Sequence, residues 1–156
     1  MTFKVNITQI GSLSDSELFG VDLESAKVRI QAAMANRFAS LCHANFGPTG
    51  ESRPSEWREL SPRYAKEYHG GNQTPTLQLS GELQSSIQIE ESNRDFSEVY
   101  TVNEYAEAHQ WGDPTMRLPA RPFFPMTIDG QLTEYAKGEV LAAADGELER
   151  ILTGHA

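Results

Sequence analysis

One run of apolar residues at helical spacing constrains the fold more than any other feature of the sequence. Apolar residues recur every three or four positions through this run: Leu23, Ala26, Ile30, Ala33, Met34, Phe38 and Leu41. This period is typical of an amphipathic α-helix, and Asp22 stands where the N-cap is expected. The pattern therefore predicts a helix from about residue 22 to residue 42 whose apolar face must be buried against other elements.

Alternating polarity predicts three strands elsewhere in the chain. Residues 2–10 alternate between apolar and polar side chains, which is typical of a half-buried strand. Ile87 and Ile89 alternate in the same way, and the stretch EVYTV at residues 98–102 follows after a turn at SNRD. This second pair predicts an antiparallel hairpin.

Capping residues and glycines predict the remaining helices. Ser61 followed by Pro62 should start a short helix, and Asn103 should start another that ends at Gly112. A C-terminal helix is predicted from Thr127 to Thr153. Three glycines within it predict a break or a close helix contact: Gly130, Gly138 and Gly146.

Together these elements predict one α+β domain over residues 1–156. In it a small antiparallel β-sheet packs with the long N-terminal amphipathic helix, short middle helices and a C-terminal helix. The glycine- and proline-rich residues 45–56 are expected to form an exposed loop. Residues 1–20 are a possible N-terminal strand or an arm that adds to a neighbour's sheet.

The charge balance argues against a protein that wraps DNA. The chain carries a formal net charge of −9 with a pI of about 4.9, and its basic residues are scattered. No apolar run is long enough to cross a membrane, and the N-terminus lacks the pattern of a signal peptide. The lone Cys42 excludes an intrachain disulfide and is expected to be a small apolar filler. These features predict a protein that is made and folded in a cytoplasm.

His109 offers the best case for catalysis, as a small metal-dependent or acid–base hydrolase that pairs it with Asp113 or Glu107. Glu107 and His109 are two residues apart, however, and such side chains point in different directions on a helix. No HxH or HExxH spacing is present. A helix-end histidine without a catalytic role is therefore the favoured interpretation, and Ser80 is favoured as a helix cap over a nucleophile.

The segment at residues 109–125, HQWGDPTMRLPARPFFP, gathers aromatic and basic residues around four prolines. Proline fixes its own backbone and restricts the residue before it, so this loop should hold its side chains in a fixed path. Tryptophan and arginine are enriched in binding hot spots. The predicted interface residues are Trp111, Arg117, Arg121, Phe123 and Phe124. Packing of the two phenylalanines within the chain itself is the alternative.

The order of several short motifs resembles the phage virion morphogenesis family, the tail-completion proteins of Mu-like and P2-like phages. The specific pieces are Tyr105-Ala106, His109-Gln110 with Gly112, and LPARPFF at residues 118–124. Weaker pieces are Trp57-x-x-Leu60 with Tyr64, and LSGEL at residues 79–83. The resemblance runs from about residue 23 to the C-terminus. The motif positions carry over as fold or assembly positions: Trp57, Tyr64, Gly81, Tyr105, His109, Gln110, Gly112, Arg121, Pro122 and Phe123.

This resemblance implies a structural virion protein without catalytic residues, metal or cofactor. Such a protein completes the tail and takes part in head–tail joining. Related neck proteins form rings, commonly sixfold, around the DNA channel, so the implied partners are further copies of the chain and other tail and neck proteins. DNA would pass through without sequence-specific binding, and negative charge facing the bore would let it slide. A tail terminator or head stopper in a neighbouring layer is the alternative.

Overall fold

The computed structural model describes residues 2–6, 22–73, 76–93 and 96–154. Five helices and three strands occur in these ranges. In chain order they are β1 (Thr2–Asn6), α1 (Leu23–Ala44), α2 (Pro62–Tyr68), α3 (Glu82–Ser85), β2 (Ile87–Asn93), β3 (Phe96–Thr101), α4 (Ala106–Trp111) and α5 (Glu134–Thr153). The predicted α+β class, with its long first helix and its C-terminal helix, is confirmed.

The three strands form one antiparallel sheet in the order β1-β3-β2. The hairpin of β2 and β3 is the one predicted from the alternation, with Ile87 opposite Thr101 at its open end. β1 pairs with β3 so that Thr2 lies opposite Tyr100 and Asn6 opposite Phe96. The predicted N-terminal strand is thus confirmed for residues 2–6, whereas residues 7–10 lie outside the described residues.

Helix α1 forms the middle layer of the domain, packed between the sheet and α5. It begins where predicted, because the Asp22 side chain accepts a hydrogen bond from the Glu24 backbone N–H at 3.2 Å. Its buried face joins side chains from the sheet and α5 in one apolar core. At the rim, Arg29 binds Glu147 at 2.7 Å and Arg37 binds Glu139, which ties α1 to α5 on the solvent side.

The C-terminal helix starts seven residues later than predicted. Residues 127–131 form a turn in which the Thr127 N–H donates to the Gln131 carbonyl at 2.8 Å and Gly130 adopts a φ of 81°. Thr133 then caps α5 by accepting from the Ala136 N–H. Gly138 and Gly146 lie within an unbroken helix, and a Cβ at either would meet no neighbouring atom within 4 Å. The predicted break is therefore confirmed at Gly130, whereas no break or close contact occurs at Gly138 or Gly146.

Two other segments differ from the predictions. Residues 45–56 are not the exposed loop expected, since Asn45, Phe46 and Ser52 are buried. Helix α4 begins at Ala106, and Asn103 instead accepts from the Tyr105 N–H at 3.0 Å just before it. In the described part of the chain, no helix is long and apolar enough to cross a membrane.

The middle of the core sets a first prediction. Phe38 on α1 is buried and contacts the Phe124 ring, with their centroids 5.9 Å apart. Replacing it in the variant Phe38→Ala should lower the free energy of unfolding by about 3–5 kcal/mol, because a cavity remains where the ring was. Urea unfolding followed by circular dichroism measures the change.

Ile128→Ala is the matched control. Ile128 is 82% exposed, so its truncation should change the free energy of unfolding by less than about 0.5 kcal/mol. Equal effects of the two variants would contradict the burial described for Phe38.

Candidate functional site

The proline-rich segment is held in place by the side chain of one buried glutamine. Gln110 on α4 accepts hydrogen bonds at Oε1 from the backbone N–H of Phe123 at 3.0 Å and of Phe124 at 2.9 Å. Its Nε2 donates back to the Phe124 carbonyl at 3.1 Å. Prolines on both sides prevent this stretch from joining a regular sheet, so a side-chain amide takes the place of a neighbouring strand.

Other side chains complete the pairing of the same backbone. Asn45, at the C-terminal end of α1, donates from Nδ2 to the Phe123 carbonyl at 3.0 Å. The Trp57 indole N–H donates to the Pro122 carbonyl at 2.8 Å. The Pro125 carbonyl accepts from the Thr133 N–H, next to the start of α5, at 3.0 Å. The segment is therefore joined to α1, to α4, to α5 and to the loop that carries Trp57.

This arrangement decides how the five predicted interface residues are placed in the chain. Phe123 and Phe124 are fully buried, and Arg121 is only 5% exposed. Their surfaces are covered by the chain itself, as the alternative of intramolecular packing expects for the phenylalanines, and an interface role for the three residues stays a prediction. Trp111 is half-buried against the core, and Arg117 is exposed. For these two as well, the interface role stays a prediction.

Arg121 supports the fold through its hydrogen bonds. Its Nε donates to the Arg58 carbonyl at 3.1 Å and its Nη2 to the Glu59 carbonyl at 3.2 Å. Burial lowers the pKa of Arg121, and the neighbouring Arg58 cation lowers it further, against an opposing effect of Tyr64. A guanidinium keeps its proton despite such shifts, so Arg121 brings a permanent positive charge to this part of the molecule.

A wide groove of about 1170 Å³ opens beside Arg121. Its walls are the residues leading into α2, the segment 77–83, the face of α4 that carries His109, and the turn at residues 116–119. Leucines supply much of the apolar lining: Leu60, Leu77, Leu79, Leu83 and Leu118. Arginines supply the charge, with Arg58, Arg117 and Arg121 in the lining against the single carboxylate of Glu59. We call this feature the arginine groove.

The turn that carries Arg117 is built to project from the groove wall. Asp113 and Leu118 exchange two backbone hydrogen bonds, at 2.9 and 2.8 Å, which close the turn. Asp113 also accepts from the Thr115 N–H and hydroxyl, which fixes its first corner. Gly112 is required just before it, because a Cβ there would lie 2.9 Å from the Ala120 nitrogen. Arg117 sits near the end of this turn with a φ of 53°.

His109 does not meet the partners that a hydrolase would need. Its Nδ1 is buried and makes no hydrogen bond. The Asp113 carboxylate is committed to Thr115 and Met116, and these hydrogen bonds hold its pKa below the usual range. Glu107 is exposed on the far side of α4 from these contacts. Among the described residues, no group of three or more His, Cys, Asp or Glu side chains could hold a metal.

The remaining candidate nucleophiles have structural surroundings. Cys42 is buried, and burial raises the pKa of its thiol well above the usual range, as expected for an apolar filler. The Ser80 hydroxyl accepts from the Glu82 N–H at 3.4 Å beside α3, although Gly81 occupies the cap position itself. The predicted capping role is thus confirmed only in part.

Sequence reasoning missed the groove and the glutamine behind it. Gln110 stood out only as a motif position, and nothing local shows that its amide pairs with residues thirteen positions away. Leu79 offers at most a weak signal, because it is an apolar residue in the largely polar stretch QLSGEL. It is 58% exposed in the groove wall.

Removing the amide of Gln110 should be costly. In Gln110→Leu, the buried N–H groups of Phe123 and Phe124 lose their acceptor, whereas the Phe124 carbonyl keeps its bond from the Met126 N–H. We expect the free energy of unfolding to fall by about 2–5 kcal/mol. Urea unfolding measures it, with the exposed Gln131→Leu as control. Equal stability of Gln110→Leu and the control would show that this amide does not hold the segment.

Two histidines make stability depend on pH. Burial lowers the pKa of His109, the Arg121 cation lowers it further, and burial lowers the pKa of His43. As the pH falls below about 6.5, the unfolded chain binds protons that the folded chain does not, so stability decreases. The urea midpoint should therefore drop between about pH 7.5 and 5.5, and His109→Gln should flatten this drop. His43→Gln should flatten it independently, and an unchanged slope in both variants would contradict the lowered pKa values.

Comparison with known proteins identifies the family. The sequence profile of the phage virion morphogenesis family matches residues 20–151, which is most of the chain and includes every wall of the arginine groove. No curated protein and no solved structure shows significant similarity to the chain. The match agrees with the resemblance carried by the YA, HQ-x-G and LPARPFF motifs. The chain belongs to the phage virion morphogenesis family.

Proposed function

We propose that this protein completes the phage tail and takes part in head–tail joining, as a closed ring of copies around the DNA channel at the neck. Membership of a phage virion morphogenesis family is the observation that carries the proposal, and it suggests a structural role over an enzymatic one. Its place is the virion, after assembly in the host cytoplasm. The proposed partners are copies of the same chain, six by analogy with related neck proteins, and other tail and neck proteins.

The surface chemistry supports an assembly role. The arginine groove is open to solvent, and within the described residues neither Arg58 nor Arg117 has a carboxylate within ion-pair distance. Unpaired cations beside the exposed Leu79 are suited to binding a protein partner that brings carboxylates and apolar side chains. The two residues that stay available for this role are Arg117 and, at the edge of the core, Trp111.

The overall charge supports passage of DNA through such a ring. A formal net charge of −9 gives the chain an excess of acidic side chains, and covering the arginines of the groove with a partner would leave still fewer cations exposed. Acidic side chains facing a bore repel phosphates, so DNA would move through without tight or sequence-specific binding.

Deletion of the gene in the phage or prophage that encodes it tests the role. We expect full heads and separate tails that fail to join, seen by electron microscopy, and infectivity restored by the wild-type gene in trans.

Arg117→Glu should fail to restore infectivity although it folds. Arg63→Glu, at a side chain 93% exposed outside the groove, should restore it and serves as the control.

Three outcomes would redirect or end the proposal. Tails of uncontrolled length in the deletion strain would indicate a tail terminator in a neighbouring layer, and leaking heads would indicate a head stopper. Normal joined virions without the gene would contradict a role in virion assembly.

A further inference from the structure

The arginine groove requires a particular kind of occupant. Three arginines face one glutamate in its lining, in a chain whose net charge is −9. Leu77 and Leu79 add apolar surface, and Leu79 is exposed there. A short peptide segment with carboxylates and large apolar side chains would therefore satisfy both the charge and the apolar surface.

The chain itself contains such a segment. Residues 11–21 read GSLSDSELFGV, in which Asp15 and Glu17 stand among Leu13, Leu18 and Phe19. No lysine or arginine occurs between Lys4 and Lys27, so this segment is the longest stretch near the N-terminus with only negative charge. It lies outside the described residues. We call residues 13–19 the acidic arm.

Residues 7–21 are joined to the described fold at Asn6 and at Asp22. Both of these anchor residues lie far from the groove of the same chain. Gln84 donates to the His43 carbonyl at 3.3 Å and Gln78 to the Phe46 carbonyl at 2.8 Å, so the groove wall lies at the C-terminal end of α1. Residue 22 lies at the other end of this 22-residue helix, about 30 Å away.

The strand register leads to the same result for the other anchor. Thr101 at the end of β3 meets Ser86 beside α3, with their hydroxyl oxygens 2.6 Å apart, so this end of the sheet is the groove end. Asn6 pairs with Phe96 at the opposite end of β3, about 17 Å away. Both anchors of residues 7–21 are thus on the side of the domain away from the groove.

The length of residues 7–21 therefore favours another copy as the source of the acidic arm. A loop of 15 residues with both ends anchored extends at most about 25 Å from them. It would have to be fully stretched to enter the groove of its own chain. In a head-to-tail pair of copies, the arm end of one chain faces the groove end of the next, and such heterologous contacts close into rings.

We infer that the acidic arm of one copy docks in the arginine groove of the next, with Asp15 and Glu17 against Arg58 and Arg117 and with Leu18 and Phe19 on the leucines. The inference rests on the proposed ring and specifies its repeating contact. Arg121 adds to the positive charge from within the groove wall.

Peptide binding tests the contact directly. A fluorescein-labelled peptide of residues 11–21 is titrated with full-length Asp15→Lys/Glu17→Lys protein, whose own arm cannot compete, and anisotropy is recorded. We expect saturable binding that weakens at least about tenfold when Arg58→Glu/Arg117→Glu is added, or when the peptide carries Leu18→Ser/Phe19→Ser. Arg63→Glu should change the affinity less than about twofold. Circular dichroism confirms that each variant is folded.

Mixing the variants tests the head-to-tail arrangement. The Asp15→Lys/Glu17→Lys protein keeps an intact groove, and an Arg58→Ser/Arg117→Ser protein, whose neutral groove does not attract the introduced lysines, keeps an intact arm. Each alone should sediment as a monomer, whereas their equimolar mixture should form a dimer and nothing larger, because each pair has one intact contact.

Three results would overturn the inference. They are absence of peptide binding, binding that ignores the groove charges, and a mixture that stays monomeric. Displacement of the peptide by an equal concentration of single-stranded DNA would assign the groove to nucleic acid instead. These results leave the gene-deletion test untouched, so failure of the contact and failure of the proposed role in the virion are distinguishable.

Discussion

The pairing of a strand-like backbone by side-chain amides is the interaction on which the rest of the structure depends. Gln110 and Asn45 satisfy the N–H and C=O groups of Phe123 and Phe124, which prolines keep out of any sheet. Without these amides the segment would bury unpaired polar groups at a cost of about 1–3 kcal/mol each. With them, the two rings can enter the core, where Phe123 contacts Phe46 and Phe124 contacts Phe38. Helices α1 and α4 are thereby joined through the same two phenylalanines of the proline-rich segment.

Two arginines four residues apart show how strongly context decides the role of a residue type. Arg121 lies just before the paired backbone of Phe123 and Phe124, and its guanidinium donates to the carbonyls of Arg58 and Glu59, so it supports the groove wall from behind. Arg117 lies in a turn that closes on itself through Asp113 and Leu118, and its side chain is left in solvent. Both bring charge to the same groove, but only the second can be changed without breaking hydrogen bonds of the fold.

Local sequence patterns predict most helices and strands, whereas the burial of the proline-rich segment depends on contacts between residues far apart in the chain. The period and the Asp22 cap define α1 within a few residues of chain, and alternation defines the β2–β3 hairpin. The burial of Phe123, by contrast, depends on a donor 78 positions away at Asn45, which no local pattern reveals. The late start of α5 could be predicted only in part. Gly130 favours a turn and Thr133 favours a cap, but the helical spacing of apolar residues continues from Ile128 through both positions and predicts a longer helix.

The charge of the chain explains why a contact between copies would depend on where it forms. Copies with a net charge of −9 repel one another in dilute solution, and the attraction between an acidic arm and three arginines is screened by salt. A single such contact is therefore weak. In the proposed ring, copies gathered at the end of a tail would have a high effective concentration, and the last contact would form within the assembly, so it would add affinity without new surface. Weak contacts of this kind would keep the chain dispersed until a tail is ready to receive it.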